Sequence, residues 1–260
     1  MELNGNRKRW KVDRITKVSK PNWLCPTCGI GELLFGEKWA RREKNSFTKM
    51  EDADYFSQVP DDQVEHFAAI IECSNPDCKE AVSFCGWVEY VREDDWSDKT
   101  YRIYHPKFFY PALAIFKVSS NCPAPIKKQI EKSFSHYFND SSACANSIRT
   151  ALEQIMDEQG VPKTFINKKH KRENYTLHKR IEEFGKTNSE LKPFLLAAKW
   201  TGNAGSHVAD ISKDSLLDGY ELLEHCIYEL YEKNVMMKAL KKKATAINKR
   251  KKPISSKQNK

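Results

Sequence analysis

Four of the eight cysteines fall into two turn-forming pairs, Cys25-Pro-Thr-Cys28-Gly29 and Cys73-Ser-Asn-Pro-Asp-Cys78. Two thiolates two residues apart, on a turn relaxed by Gly, reach one metal from the same side, and the second, slightly wider turn does the same. Strand-like sequence stands beside each pair, so the two turns read as the knuckles of a zinc ribbon. Cys25, Cys28, Cys73 and Cys78 then close a tetrahedral site for a structural Zn2+, with no position left open for catalysis. Bringing the two knuckles together loops out the 44 residues between Cys28 and Cys73. The polar, acidic Lys38–Asp62 region is the expected insertion. The competing reading is a set of unrelated thiols. A thioredoxin-like redox pair is disfavoured, because no βαβ pattern surrounds Cys25. Cys85 is close enough in sequence to be a spare ligand, and Cys122, Cys144 and Cys226 read as core or loop thiols.

A thiolate site requires a reducing compartment. The opening MELNGNRKRW has no apolar h-region, so no signal peptide is expected. The longest apolar run, Phe108 to Phe116, is too short for a membrane span and contains Pro111. Both point to a cytoplasmic chain with no membrane association, whose cysteines stay reduced. At 260 residues it can hold one large or two modest domains.

The pattern changes near residue 120. Before it, Val64–Glu72, Val82–Val91 and Tyr101–Tyr104 have the β-branched and aromatic content of strands. After Cys122-Pro-Ala-Pro125 a helical period takes over. Pro125–Phe138 aligns Ile126, Ile130, Phe134 and Tyr137. A helix capped by Ser141 or Ser142 aligns Cys144, Ile148, Ala151, Leu152 and Ile155, and Gly160 and Pro162 stop it. Three more helices begin near Thr176, span roughly Ser189–Trp200, and start from the cap Ser212. The expected fold class is α+β: residues 1–120 form a zinc ribbon with short antiparallel strands and an acidic insertion. Residues 121–235 form an all-α bundle, and residues 236–260 a basic, disordered tail, with an extended helix through Ala244 as the alternative.

Charge is unevenly placed. Residues 236–260 hold ten Lys or Arg and no Asp or Glu, and subtracting them from the net +9 leaves the rest of the chain at −1. Such separation points to an anionic partner for the tail, with a merely solvated tail as the bland reading. Lys249, Arg250, Lys251 and Lys252, with Lys168, Lys169, Lys171 and Arg172 upstream, are the candidate contacts to nucleic-acid phosphates. There is no P-loop, no GxGxxG and no nucleophile elbow.

The helical half carries a more particular series: Ser147-Ile-Arg-Thr-Ala-Leu-Glu-Gln-Ile-Met156, Gly160-Val-Pro162, Leu177-His-Lys-Arg-Ile181, Thr201-Gly-Asn-Ala-Gly-Ser-His207, Ile211-Ser-Lys-Asp214 and Leu222 to Tyr231. Over about residues 120–233 this order resembles a bacterial domain-of-unknown-function family, catalogued as forty-one forty-five. That family is similar to the HEPN helical domains, many of them ribonucleases or partners of nucleotidyltransferases. The resemblance implies an HEPN-like bundle that forms a homodimer, an N-terminal zinc ribbon, and a place in a bacterial or phage defence or restriction-type system. HEPN nucleases resemble one another in an Arg-x4–6-His motif, in which Arg stabilises phosphorane charge and His moves the proton of the attacking 2′-hydroxyl. Here the candidate catalytic set is His207, Asn203, Lys199 and Arg149. It departs from the motif, because no Arg closely precedes His207 and Lys199 stands where the family has Arg, without the bidentate fork. The stretch KWTGNAGSH therefore has two readings. It is a catalytic corner, or a helix end where Gly202 and Gly205 relax the backbone, Asn203 satisfies exposed groups and His207 bonds across toward Glu153 or Arg149. His170 and His178 read as solvent-facing. Three functions stay open: nucleic-acid association by binding, endoribonuclease chemistry through His207, and a non-catalytic adaptor that docks a larger effector protein.

Overall fold

A computed structural model describes residues 7–12, 14–37, 39–44, 65–92, 100–207 and 211–250. The expected insertion lies mostly outside them. Residues 39–44 of it are described, and Ala40–Lys44 form a strand.

A short helix, α1 (Arg7–Trp10), precedes five antiparallel strands: β1 (Leu33–Leu34), β2 (Ala40–Lys44), β3 (Glu65–Cys73), β4 (Ala81–Arg92) and β5 (Thr100–Tyr110). The order is β1-β3-β4-β5, with β2 also paired to β3. Period-two alternation sets the inner face: along β3, Phe67, Ala69, Ile71 and Cys73 are buried and the residues between them are not. The register then stacks Ala69 beside Phe84 and Phe84 beside Phe109 across three strands. Trp39 stacks on Phe84 with centroids 5.7 Å apart, and Phe84 on Phe109 at 5.1 Å. Such aromatic pairs add about 0.5–1.5 kcal/mol each beyond their buried area. The β4–β5 ladder shifts register between Cys85 and Gly86. There a Cβ on residue 86 would run into the His105 carbonyl, which accounts for the Gly.

The helical half comprises α2 (Ala124–His136), α3 (Ser141–Glu158), a hairpin of β6 (Thr164–Ile166) and β7 (Arg172–Asn174), α4 (Leu177–Phe184), α5 (Lys192–His207) and α6 (Lys213–Ile227). A π-helical turn, Tyr228–Glu232, leads into α7 (Lys233–Arg250). The expected cap Ser212 accepts from Ser215 N–H, and Thr176, the expected helix start, caps its helix by accepting from Lys179 N–H. For α3 the cap is Asp140, whose carboxylate takes the Ala143 N–H, rather than Ser141 or Ser142. Gly160, at φ +69°, stops α3 as expected.

Two expectations change. The helix expected to end near Trp200 continues to His207. The tail is helical to Arg250 rather than disordered from residue 236, since its Lys, Ala, Met and Leu are strong helix formers and no Gly or Pro interrupts them. Lys251 and Lys252 lie outside the described residues.

The two halves share one buried cluster. Phe138, just past α2, packs on Trp23 (5.7 Å) and Phe109 (4.8 Å) of the sheet side. Tyr137 Oη donates to the Trp10 carbonyl at 2.9 Å, and Arg7 reaches Asp218 (2.6 Å) and Glu221 (3.1 Å) on α6.

Candidate metal centre and basic surfaces

The first knuckle turns between Leu24 and Glu32 ahead of β1, and the second closes the β3–β4 hairpin. Cys25 N–H donates to Gly31 O and Gly29 N–H to Cys25 O, with Gly29 at φ +67°. In the second knuckle Asn75 Oδ1 accepts from Asp77 N–H, an Asx turn. The knuckles are laced together by Ser74 N–H to Glu32 O (2.8 Å) and Glu32 N–H to Ser74 Oγ (2.9 Å). A Cβ at position 31 would occupy the place of the Cys73 sulfur, so Gly31 lets the turns close.

This lacing brings together the four cysteines singled out from the sequence. The Cys25–Cys78 and Cys28–Cys73 Sγ pairs are each 3.7 Å apart, and all four sulfurs lie within 4.8 Å of one another. A disulfide would need about 2.05 Å. A tetrahedron of sulfurs at about 2.3 Å from a central metal has edges of about 3.8 Å. The spacing therefore fits four ligands of one ion. Gly31 N–H points at Cys28 Sγ and Asn75 N–H at Cys73 Sγ, each at 3.4 Å, as donors that stabilise thiolates. The Gly31 and Ile30 amides hold the Cys28 thiol down to about 6, whereas burial pushes Cys73 up to about 12. A bound cation favours the thiolate at every position. The four cysteines can hold a metal ion. Cys85 is not among them: it is exposed on the outward face of β4. Burial pushes Cys122 up to about 11 and Cys144 and Cys226 up to about 12, as expected of inert core thiols.

KWTGNAGSH forms the C-terminal half of α5. Gly202 lies against α3, where an added Cβ would stand 2.7 Å from Arg149 Cβ, and Thr201 lies against Gly219 of α6. The glycine serves a close helix crossing within the helix rather than a bend. Lys199 is only 4% exposed. Its Nζ sits 3.3 Å from His178 Nδ1 and 3.6 Å from the centre of the Trp200 ring. His178 Nε2 in turn faces Glu182 Oε1 at 3.6 Å, and Arg149 pairs with Glu153 at 3.4 Å. Burial, and then the charge of Arg149, hold the Lys199 ammonium below its ordinary range. Among the described residues no carboxylate lies within salt-bridge reach of Lys199. Arg149 and Lys199 are thus neighbours, and His178, expected to face solvent, keeps 40% of its side chain exposed while its Nδ1 faces Lys199. The side chains of Asn203 and His207 lie outside the described residues.

The upstream basic run, missed as structure, is the turn of the β6–β7 hairpin. Asn167 Oδ1 accepts from Lys169 N–H (2.8 Å) and Lys171 N–H (3.0 Å), fixing a turn on which Lys168, Lys169, Lys171 and Arg172 are all exposed. Its only advance signal is Asn167, a residue that closes turns through its own side chain. Lys249 and Arg250 are exposed on the last turn of α7. No described helix is long and apolar enough to cross a membrane.

Residues 13–112 match the model of a Domain of unknown function (DUF8608), and residues 131–250 that of a Domain of unknown function (DUF4145). No curated protein and no solved structure matches the chain. The family likeness therefore lies in the helical half, which is similar to DUF4145 over residues 131–250.

Proposed function

We propose that this is a cytoplasmic, zinc-stabilised protein that acts by binding nucleic acid, in a bacterial or phage defence or restriction-type system. Zinc is the proposed metal because a closed four-thiolate tetrahedron suits it and leaves no position for substrate. In this reading residues 1–120 are the ribbon unit, residues 121–235 a bundle that dimerises and can dock a larger effector, and residues 236–260 the basic arm. The observation that carries the binding claim is α7: it is exposed along its whole length, with seven Lys or Arg and no acid over Lys233–Arg250. The rigid turn at Lys168–Arg172 adds four more cations. Both are suited to phosphates and neither to reading bases.

Anisotropy titrations with labelled single-stranded RNA and duplex DNA, between 50 and 200 mM salt, test it. Binding should weaken steeply with salt. Replacing Lys168, Lys169, Lys171 and Arg172 by Gln should flatten the log–log slope for duplex DNA, by about 0.9 for each phosphate contact removed. Absent binding at low salt, or binding indifferent to salt, would reject the proposal.

The Lys199 cluster favours a second reading, endoribonuclease chemistry. A buried ammonium beside Arg149 could stabilise phosphorane charge, with His207 moving the proton. Labelled RNA incubated with wild type and His207→Ala, with and without EDTA, decides it. Cleavage lost in the variant supports the reading, and no cleavage by folded wild type removes it.

A further inference from the structure

Beyond the π-helical turn no residue of α7 is buried, and the helix is not uniformly basic. Met237, Leu240, Ala244 and Ile247 recur at intervals of three, four and three, the spacing of a coiled-coil seam. At about 100° per residue they fall, with Met236, within about a 100° arc of the helix. Met236, Met237, Leu240 and Ile247 are 43–51% exposed. Lys241 and Lys243 edge this seam on its two sides, while Lys238, Lys242 and Lys249 lie on the far face. The helix leaves the body at the π-helical turn with its seam uncovered by any described residue, so the seam calls for a partner.

We propose that α7 docks a helix of another protein, one that presents an apolar seam edged by Asp or Glu. Charge chooses this occupant. A second copy would set seven more cations against the first seven, with no acid on either helix to offset them. A lipid surface favours Trp, Phe and Leu on the buried face, and α7 has no aromatic residue and a seam of Met, Ala, Leu and Ile. Nucleic acid can use the charges but leaves the seam in water, so this inference goes beyond phosphate binding. An acidic helix satisfies both features at once: Met packs adaptably against the seam, and Lys241 and Lys243 meet carboxylates along its edges.

The test uses the full chain and four probes: a 21-residue helical peptide with a Leu/Ile seam and Glu edges, the same peptide with Lys edges, vesicles of phosphatidylserine and phosphatidylcholine, and the protein alone in sedimentation velocity. The variants are Leu240→Ser with Ile247→Ser, and Lys241→Glu with Lys243→Glu. All four positions are exposed, so the fold is unaffected. The Glu-edged peptide should bind wild type and gain helicity. The Ser pair should weaken it at least tenfold, and the Glu pair should transfer preference to the Lys-edged peptide. Binding unchanged by the Ser pair would reduce the contact to charge alone and overturn the proposal. So would failure of the Glu-edged peptide to bind, self-association that the Ser pair abolishes, or vesicle binding that displaces the peptide.

Discussion

Gly202→Ala tests the placement of KWTGNAGSH directly, because two opposing magnitudes meet there. Alanine in a helix interior is favoured over Gly by about 0.8–1.0 kcal/mol, so on local grounds the change stabilises. In this structure the new Cβ would stand 2.7 Å from Arg149 Cβ, 3.2 Å from Arg149 Cα and 3.3 Å from the Ala145 carbonyl oxygen. Carbon atoms settle at about 3.5–4.0 Å, so α5 and α3 would have to part by several tenths of an ångström. The seam that opens includes Ala145, Ile148 and Leu152, all fully buried. Because two of the three contacts are backbone atoms, no rotamer relieves them, and overpacking of this kind costs about 1–3 kcal/mol. The net expectation is a loss of about 0–2 kcal/mol, or up to roughly 8 °C in Tm for a chain of this size. Urea denaturation followed by circular dichroism measures it, with an unchanged m-value confirming that the native state is what moved. Gly219→Ala is the internal comparison. Its Cβ would meet the Thr201 Cγ2 at 2.8 Å, so Thr201→Ser should restore part of the loss. A Gly202→Ala protein stabilised by the full ~0.8–1.0 kcal/mol would refute the close crossing and reopen the stretch as a bent corner.

Purified protein should carry about one zinc per chain, and Cys73→Ser should abolish it and lower Tm; metal analysis finding none would remove the zinc claim. Burial pushes the Asp157 carboxyl up, but hydrogen bonds from Lys163 and Arg180 outweigh it and hold it below the ordinary carboxylate range. Its contribution is therefore present above the unfolded pKa and lost as pH falls through the folded one. Asp157→Asn should cost about 1–2 kcal/mol at pH 7, and urea titrations should show the gap closing toward pH 3. Lys199, depressed by burial, acts in the opposite direction. The folded state penalises its ammonium at neutral pH and is relieved as pH climbs toward the ordinary lysine range. Lys199→Met should be at least as stable as wild type at pH 7 and should lack the rise in stability toward pH 10. A marked loss at pH 7 would show that the His178 and Trp200 contacts outweigh burial.

What the sequence made legible follows from how strongly each segment is buried. The strands Glu65–Cys73 and Ala81–Arg92 and the helices around Ile130, Ile148 and Leu223 carry their periods because one face of each is packed. The four clustered cysteines were legible for a different reason, since their spacing is a chemical rule independent of packing. Tyr101–Tyr104 was seen only in part. The strand runs on to Tyr110 through Pro106, tolerated because Pro106 stands opposite Gly86, where the ladder is already irregular. The β6–β7 hairpin had no period to show, because the three residues of β7 are all exposed. The seam of α7 is short and set among lysines, and none of its described residues is buried, so the tract reads equally as solvated coil.

KWTGNAGSH could not be resolved from sequence because Gly has two uses that look identical in a single chain. It relaxes a backbone that turns, and it admits a neighbour to a backbone that does not. At position 202 the second applies, and the consequence reaches the chemistry. Positions 199, 203 and 207 now lie one helical turn apart on α5, so they share a face of that helix. A bent corner would have separated them. The face begins at Lys199, beside Arg149 of α3 and His178 of α4, two charged or titratable groups brought in from other elements. The helical placement puts a guanidinium near the lysine, contributed by α3 across the crossing that Gly202 makes close. The packing role of the glycine and a chemical role for its neighbours are therefore compatible. A variant that opens the α3–α5 crossing should disturb the Lys199 environment along with stability, whereas one that changes only Lys199 should leave the crossing intact.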